Sequence, residues 1–103
     1  MTNSLSKNYA EALFSICVES NNLDDIQMEM KQLKEIVIEN NELVSFLMSS
    51  FISFEEKEEF IDKVLASFNE DIRILTKILT KNHRAKYMLD VIESFNTLCN
   101  EKK

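Results

Sequence analysis

Residues 9–18 read YAEALFSICV, and the way this stretch spends its apolar residues decides the fold. At about 100° per residue, Leu5, Tyr9, Ala12, Leu13 and Ile16 cluster on one arc of a helix. Ala10, Phe14, Cys17 and Val18 cluster on the neighbouring arc. Together the arcs cover roughly 240°, whereas a surface helix needs only a ~100° stripe to face a single core. Such a helix is either central in a bundle and covered on both flanks, or it offers one flank to a partner.

The segments beyond it have helical spacing too. Leu23, Ile26, Met30, Leu33 and Val37 recur three and four apart, which predicts a helix over about Leu23–Glu39 with one buried face. Its outer face carries Glu29, Lys31, Gln32 and Glu35. A short third helix is expected at about Glu42–Met48. The sequence SFEE then places Ser53 three residues before Glu56, the spacing of a capping box that opens a fourth helix. Phe60, Ile61, Val64, Leu65 and Phe68 supply its apolar face. The fifth helix follows Asn69, and its Ile72, Ile74, Leu75, Ile78 and Leu79 again cover a wide arc, roughly 160°. The sixth starts near Arg84 and shows no stop signal before Lys103, which suggests that the natural chain continues.

Asparagine marks the boundaries: Asn21-Asn22, Asn40-Asn41, Asn69 and Asn82 each interrupt a helical pattern. Asn caps helix N-termini well and tolerates the left-handed conformation at helix ends. The 103-residue chain has no Gly and no Pro, although average usage would supply roughly a dozen of the two. Hairpin turns and phosphate-cradling loops are thereby disfavoured. The expectation is an all-α fold, a compact bundle of six short helices in one domain spanning residues 1–103.

Composition narrows the function. The chain is 45% apolar and 29% charged, with no run long enough for a transmembrane helix. Glu11 interrupts the first apolar run, so the N-terminus does not read as a signal peptide. The net charge of −6 opposes nucleic-acid binding. The nearest basic patch, TKNHRAK with Lys81, His83, Arg84 and Lys86, reads as a solvated helix junction. One histidine and two distant cysteines cannot assemble a catalytic triad or a zinc site, so no catalytic, metal or cofactor role is expected. Cys17 and Cys99 read as small buried hydrophobes kept reduced, with a disulfide the less favoured alternative. Glu55, Glu56, Glu58 and Glu59 around Lys57 read as a solvated face at a helix start. The methionines are scattered, Met30 and Met88 falling on core stripes. What remains is surplus apolar surface on the first and fifth helices.

Several stretches, in order, carry a family resemblance. YAEALFSIC resembles the Tyr-Ala-x-Ala-Leu-Phe opening of the delta subunit of F-type ATP synthase, whose mitochondrial counterpart is the oligomycin-sensitivity-conferring protein. The likeness continues through LKEIVIENNELVSFLMSSFIS and EEKEEFIDKV, then through LTKILTKNHRAKYMLDVIESFNTL with its Asn-x-Arg turn. It departs locally where Ser49 and Ser50 precede Phe51 in place of the family's frequent Pro.

The resemblance implies a six-helix N-terminal domain and a non-catalytic stator role. The subunit would cap the catalytic head and tie it to the peripheral stalk, on the cytoplasmic face of the bacterial cell membrane and without inserting into it. It implies as partner the N-terminal helix of an alpha subunit, held in an apolar groove between the first and fifth helices. Leu5, Tyr9, Ala12 and Ile16 would line that groove with Leu75, Ile78 and Leu79, while Phe14 would serve the core. The stalk would be met by the family's C-terminal domain, which this sequence lacks, and the domain alone is expected to be a monomer. A generic helical adaptor is the alternative.

Overall fold

The computed structural model describes residues 3–102. Lys103, up to which the last helix was expected to run, lies outside the described residues. Six helices follow one another: α1 (Ser4–Ser20), α2 (Leu23–Glu39), α3 (Asn41–Met48), α4 (Phe54–Val64), α5 (Glu70–Lys81) and α6 (Met88–Lys102). A 3-10 turn, Ala85–Tyr87, leads into α6. Among the described residues there is no strand.

Polar side chains cap the N-termini of α1, α4 and α5. Asn3 and Asn69 cap α1 and α5, their side chains accepting from the backbone N–H of Ser6 and Asp71, each at 2.8 Å. Such a cap contributes about 1 kcal/mol. At Ser53 the hydroxyl accepts from the Glu56 N–H at 3.2 Å, and it also faces the Glu56 carboxylate at 3.1 Å. With no glycine available, two other residues take the left-handed conformation that ends helices: Asn21 at φ 55° and His83 at φ 60°. Beyond α5, the His83 N–H donates to the Thr80 carbonyl and the Arg84 N–H to the Leu79 carbonyl. This paired closure satisfies carbonyls that the helix end would otherwise leave open. It also corrects the expected start of the sixth helix. Arg84 is held in the turn, and regular α-helix begins only at Met88.

The last helix is the structural spine. α6 packs along α1 and α2, while α4 lies on α5, and α3 rests on α2 and the 3-10 turn. Phe95, Ile26, Leu79, Ile72, Val91, Ala10, Cys17 and Cys99 have no accessible surface and form the centre of one contiguous core. Both cysteines are free thiols. The radius of gyration, 13.0 Å, is that of about 100 residues packed around one core.

Several residues sit differently from their sequence-based placement. Leu13 belongs to the core, whereas Val18 is exposed. α4 ends at Val64, so Leu65 and Phe68 are buried from the following turn rather than from the helix. Glu29 does not simply face solvent: its carboxylate accepts from the backbone N–H of Asn69 at 2.7 Å, pinning α2 to the start of α5. Gln27 is buried on the same helix and donates through Nε2 to Asn96 Oδ1 at 2.8 Å. Lys57, read as part of a solvated face, is a buried residue of α4. The tertiary neighbour decides in each case, because helical spacing gives the direction of a side chain but not what stands there.

A candidate partner-binding face on α1 and α5

The apolar arc of α1 divides into three strips. Ser6, Ala10, Leu13 and Cys17, four and three apart, are buried. The small side chains among them let α1 lie close against α6. Phe14 flanks this strip on one side, half-buried, with its ring edge-on to Phe95 at a centroid distance of 6.4 Å. Tyr9 flanks it on the other side, also half-buried. Beyond Tyr9 lie Leu5, Ala12 and Ile16, all exposed. The helix is therefore not covered on both flanks.

Tyr9 fixes what lies beside that open strip. Its hydroxyl accepts from Arg84 Nη1 at 2.8 Å and from Asn82 Nδ2 at 3.0 Å, and the Arg84 guanidinium lies over its ring, 5.9 Å from the centroid. Thus the first half of α1 is tied to the far end of α5. At the other end Cys17 senses Asp71 in the first turn of α5. Burial chiefly, then Asp71 and Cys99, pushes the Cys17 thiol up to about 11. The two helices therefore run side by side in opposite directions.

On α5, Ile72, Leu75, Thr76, Leu79 and Thr80 point inward, while Ile74 and Ile78 are 42% and 44% exposed. The open strip of α1 and the open strip of α5 thus flank a shared line of contact. The residues proposed from sequence are not equivalent within it. Leu5, Ala12, Ile16 and Ile78 are accessible, and Tyr9 is partly so. Leu75 is 7% exposed and Leu79 0%, so Leu79 supports the floor and cannot line the surface. Leu79 falls on the centre of the inward arc of α5, between Ile72 and Leu75, which is why the core takes it. Ile74 was missed as a lining residue, although it belongs to the same wide arc. Asn82 and Arg84 were missed as well. The sequence marks them as a helix boundary, a basic patch and an Asn-x-Arg turn, none of which hints that both reach Tyr9.

Other features of the surface carry less. An apolar cleft of about 340 Å³ opens between α2, α3 and α4, lined by Ile36, Leu43, Phe46, Phe60 and Val64. His83 is exposed in its turn, and among the described residues no group of three or more His, Cys, Asp or Glu is placed to hold a metal ion. Among the described residues no helix is long and apolar enough to cross a membrane.

Fold and surface together define the class: an all-α six-helix domain with an open apolar face shared by its first and fifth helices. The chain belongs to the ATP synthase delta (OSCP) subunit family, whose pattern matches residues 5–103. It is 33% identical over 99 residues to the ATP synthase subunit delta of Bacillus cereus (strain B4264). The identity is 34% over 99 residues to the proteins of the same name from Bacillus cytotoxicus and Bacillus thuringiensis (strain Al Hakam). Each alignment covers 96% of this chain and 55% of the relative, so the chain spans about half the length of the curated relatives it matches.

Proposed function

We propose that this chain is the head-binding domain of a delta-type stator subunit, peripheral to the membrane and without catalysis of its own. It holds the N-terminal helix of an alpha subunit between α1 and α5. The observation that carries this reading is the pairing of open apolar strips, Leu5, Ala12 and Ile16 on one helix and Ile74 and Ile78 on its neighbour. An amphipathic helix laid between them would bury surface that is otherwise left in water. Family membership supports the reading, because the relatives that the chain matches are ATP synthase delta subunits.

The job is mechanical. Torque generated in the head must not turn the stator, so the interface has to release slowly. A partner segment that is disordered when free loses conformational entropy on docking. A few central apolar anchors must therefore dominate the affinity. Ala12 suits the middle of the face, since a small side chain there lets another helix approach closely.

The test is a calorimetric titration of this chain with an alpha-subunit N-terminal peptide, run beside thermal melts. Ala12→Arg should abolish detectable binding and leave the melting temperature nearly unchanged, because Ala12 is exposed. Normal binding by a folded Ala12→Arg variant would remove the groove. Binding of an unrelated helical peptide in preference to the alpha-subunit one would favour a generic adaptor.

A further inference from the structure

The face is apolar along its length but not electrically uniform. Between Asp71 and Asp90 the chain carries Arg73, Lys77, Lys81, Arg84 and Lys86 and no carboxylate, a local inversion of sign in a protein of net charge −6. Arg73 and Lys77 are paired with two carboxylates of α4: Asp62 lies 3.4 Å from Arg73 and 2.9 Å from Lys77, and Glu58 lies 4.0 Å from Lys77. Lys81, Arg84 and Lys86 form no ion pair among the described residues. Each lies over an aromatic ring instead: Lys81 is 5.6 Å from the Phe54 centroid, Arg84 5.9 Å from Tyr9 and Lys86 5.4 Å from Tyr87. A ring face attracts a cation without cancelling its charge.

Lys81 follows Ile74 and Ile78 at the spacing that keeps three residues on one side of a helix. Arg84 reaches the same end of the face through Tyr9. The opposite end has the opposite sign. α5 begins with Glu70 and Asp71, and the antiparallel α1 brings Glu19 to that end.

We infer that the α1/α5 face is electrostatically polarised and selects an amphipathic helix with carboxylates in its first turn, seated with that turn over Lys81 and Arg84. The bound helix then runs in the same direction as α1. This inference rests on the reading that a helix occupies the face at all. Helices ordinarily carry acids in their first turn and bases in their last, so an ordinary amphipathic helix matches the face in this orientation only. The macrodipole of the bound helix opposes the arrangement with about half a charge at its N-terminus. Full charges on first-turn carboxylates outweigh it.

The experiment uses the alpha-subunit N-terminal peptide in three forms, with glutamates, glutamines or lysines at polar positions in the first turn of its helix. Each is titrated into the unmodified chain and into Lys81→Glu, at low and at high salt. On the unmodified chain the glutamate form should bind about tenfold more tightly than the glutamine form, as charge-assisted contacts do. The lysine form should bind more weakly still, and the spread should narrow as salt screens it. Acidic first turns also stabilise a free helix, but that effect is blind to the charge on the receiving domain. On Lys81→Glu the preference should therefore shrink or reverse, with melting confirming that the exposed substitution leaves the fold intact. An unchanged order on Lys81→Glu, or equal binding of all three forms at low salt, overturns the polarity while leaving the groove standing. If no form binds, the groove reading fails and the polarity falls with it. Preference of the basic end for a duplex oligonucleotide over the glutamate peptide would overturn it as well.

Discussion

The two sides of α1 solve different problems with nearly the same residues. On its inner side Ala10 has no accessible surface, beneath α6; two residues on, Ala12 stands in solvent. Phe14 finds an aromatic partner in Phe95, whereas Tyr9, on the other margin, ends in a hydroxyl that collects donors from Asn82 and Arg84. The inner side is closed by apolar contact. The outer side is only framed: a polar tie at one end and buried Leu75 and Leu79 below, with aliphatic edges left open. An apolar strip on a helix thus says where contact is favourable, and the neighbouring helices decide whether that contact is already made.

The sharpest way to break this contrast is to place one charged residue on each side. Ala10→Arg should cost on the order of 5 kcal/mol or more, comparable to the whole stability of a small domain, because it forces a charge into a close helix crossing. Against the small effect expected of Ala12→Arg, the pair should separate by chemical denaturation. Equal destabilisation would mean that the two sides are buried alike.

Phe14→Ala comes next. A fully buried aromatic would lose about 3–5 kcal/mol on truncation, and Phe14, only half-buried, should lose about 2. Phe14→Ala should also leave peptide affinity unchanged, since it lies on the far margin from the open strip. Tyr9→Phe should cost about 1 kcal/mol, the usual net contribution of a hydrogen bond. If α1 drifts from α5 when this tie is lost, the same variant should weaken peptide binding as well.

The smallest effect is a pH dependence from the closed side. Cys17 titrates at about 11 in the folded chain, against an ordinary value of 9.0. The folded state therefore keeps a proton that the unfolded state releases. The associated stability is fully present below the unfolded value and is lost as pH rises from about 9 toward 11. Cys17→Ala should flatten that part of the stability curve, measured by denaturant titration at several pH values. Rapid native labelling of both thiols would contradict the burial on which this rests.

The fold was largely legible because its signals are local. The second helix appears over Leu23–Glu39, and its buried Ile26, Met30, Leu33 and Val37 were all on the expected stripe. The Ser53–Glu56 cap and the asparagine boundaries depend on hydrogen bonds spanning two to four residues, which a sequence displays directly. The candidate face was legible only in part. Leu5, Tyr9, Ala12, Ile16 and Ile78 were marked by excess apolar arc, but the same arithmetic grouped buried Leu13 with the first four, grouped exposed Val18 with Ala10 and Cys17, and left buried Leu79 among the groove residues. Angles on one helix cannot distinguish among neighbours on either side.

The sequence by itself determined that the chain is helical, where its helices begin and end within a few residues, and that α1 carries more apolar surface than one core needs. Those properties follow from side-chain chemistry and from the 3.6-residue period. Only the tertiary structure decided that α5 runs antiparallel beside the open strip of α1. It alone closed the tie from Tyr9 to Asn82 and Arg84, bonds that cross more than seventy residues of chain. It alone set Arg73 and Lys77 against Asp62 while leaving Lys81 and Arg84 with rings for company. Contacts between residues far apart in sequence depend on how the helices cross, and the crossing is fixed jointly by every buried side chain rather than by any one segment.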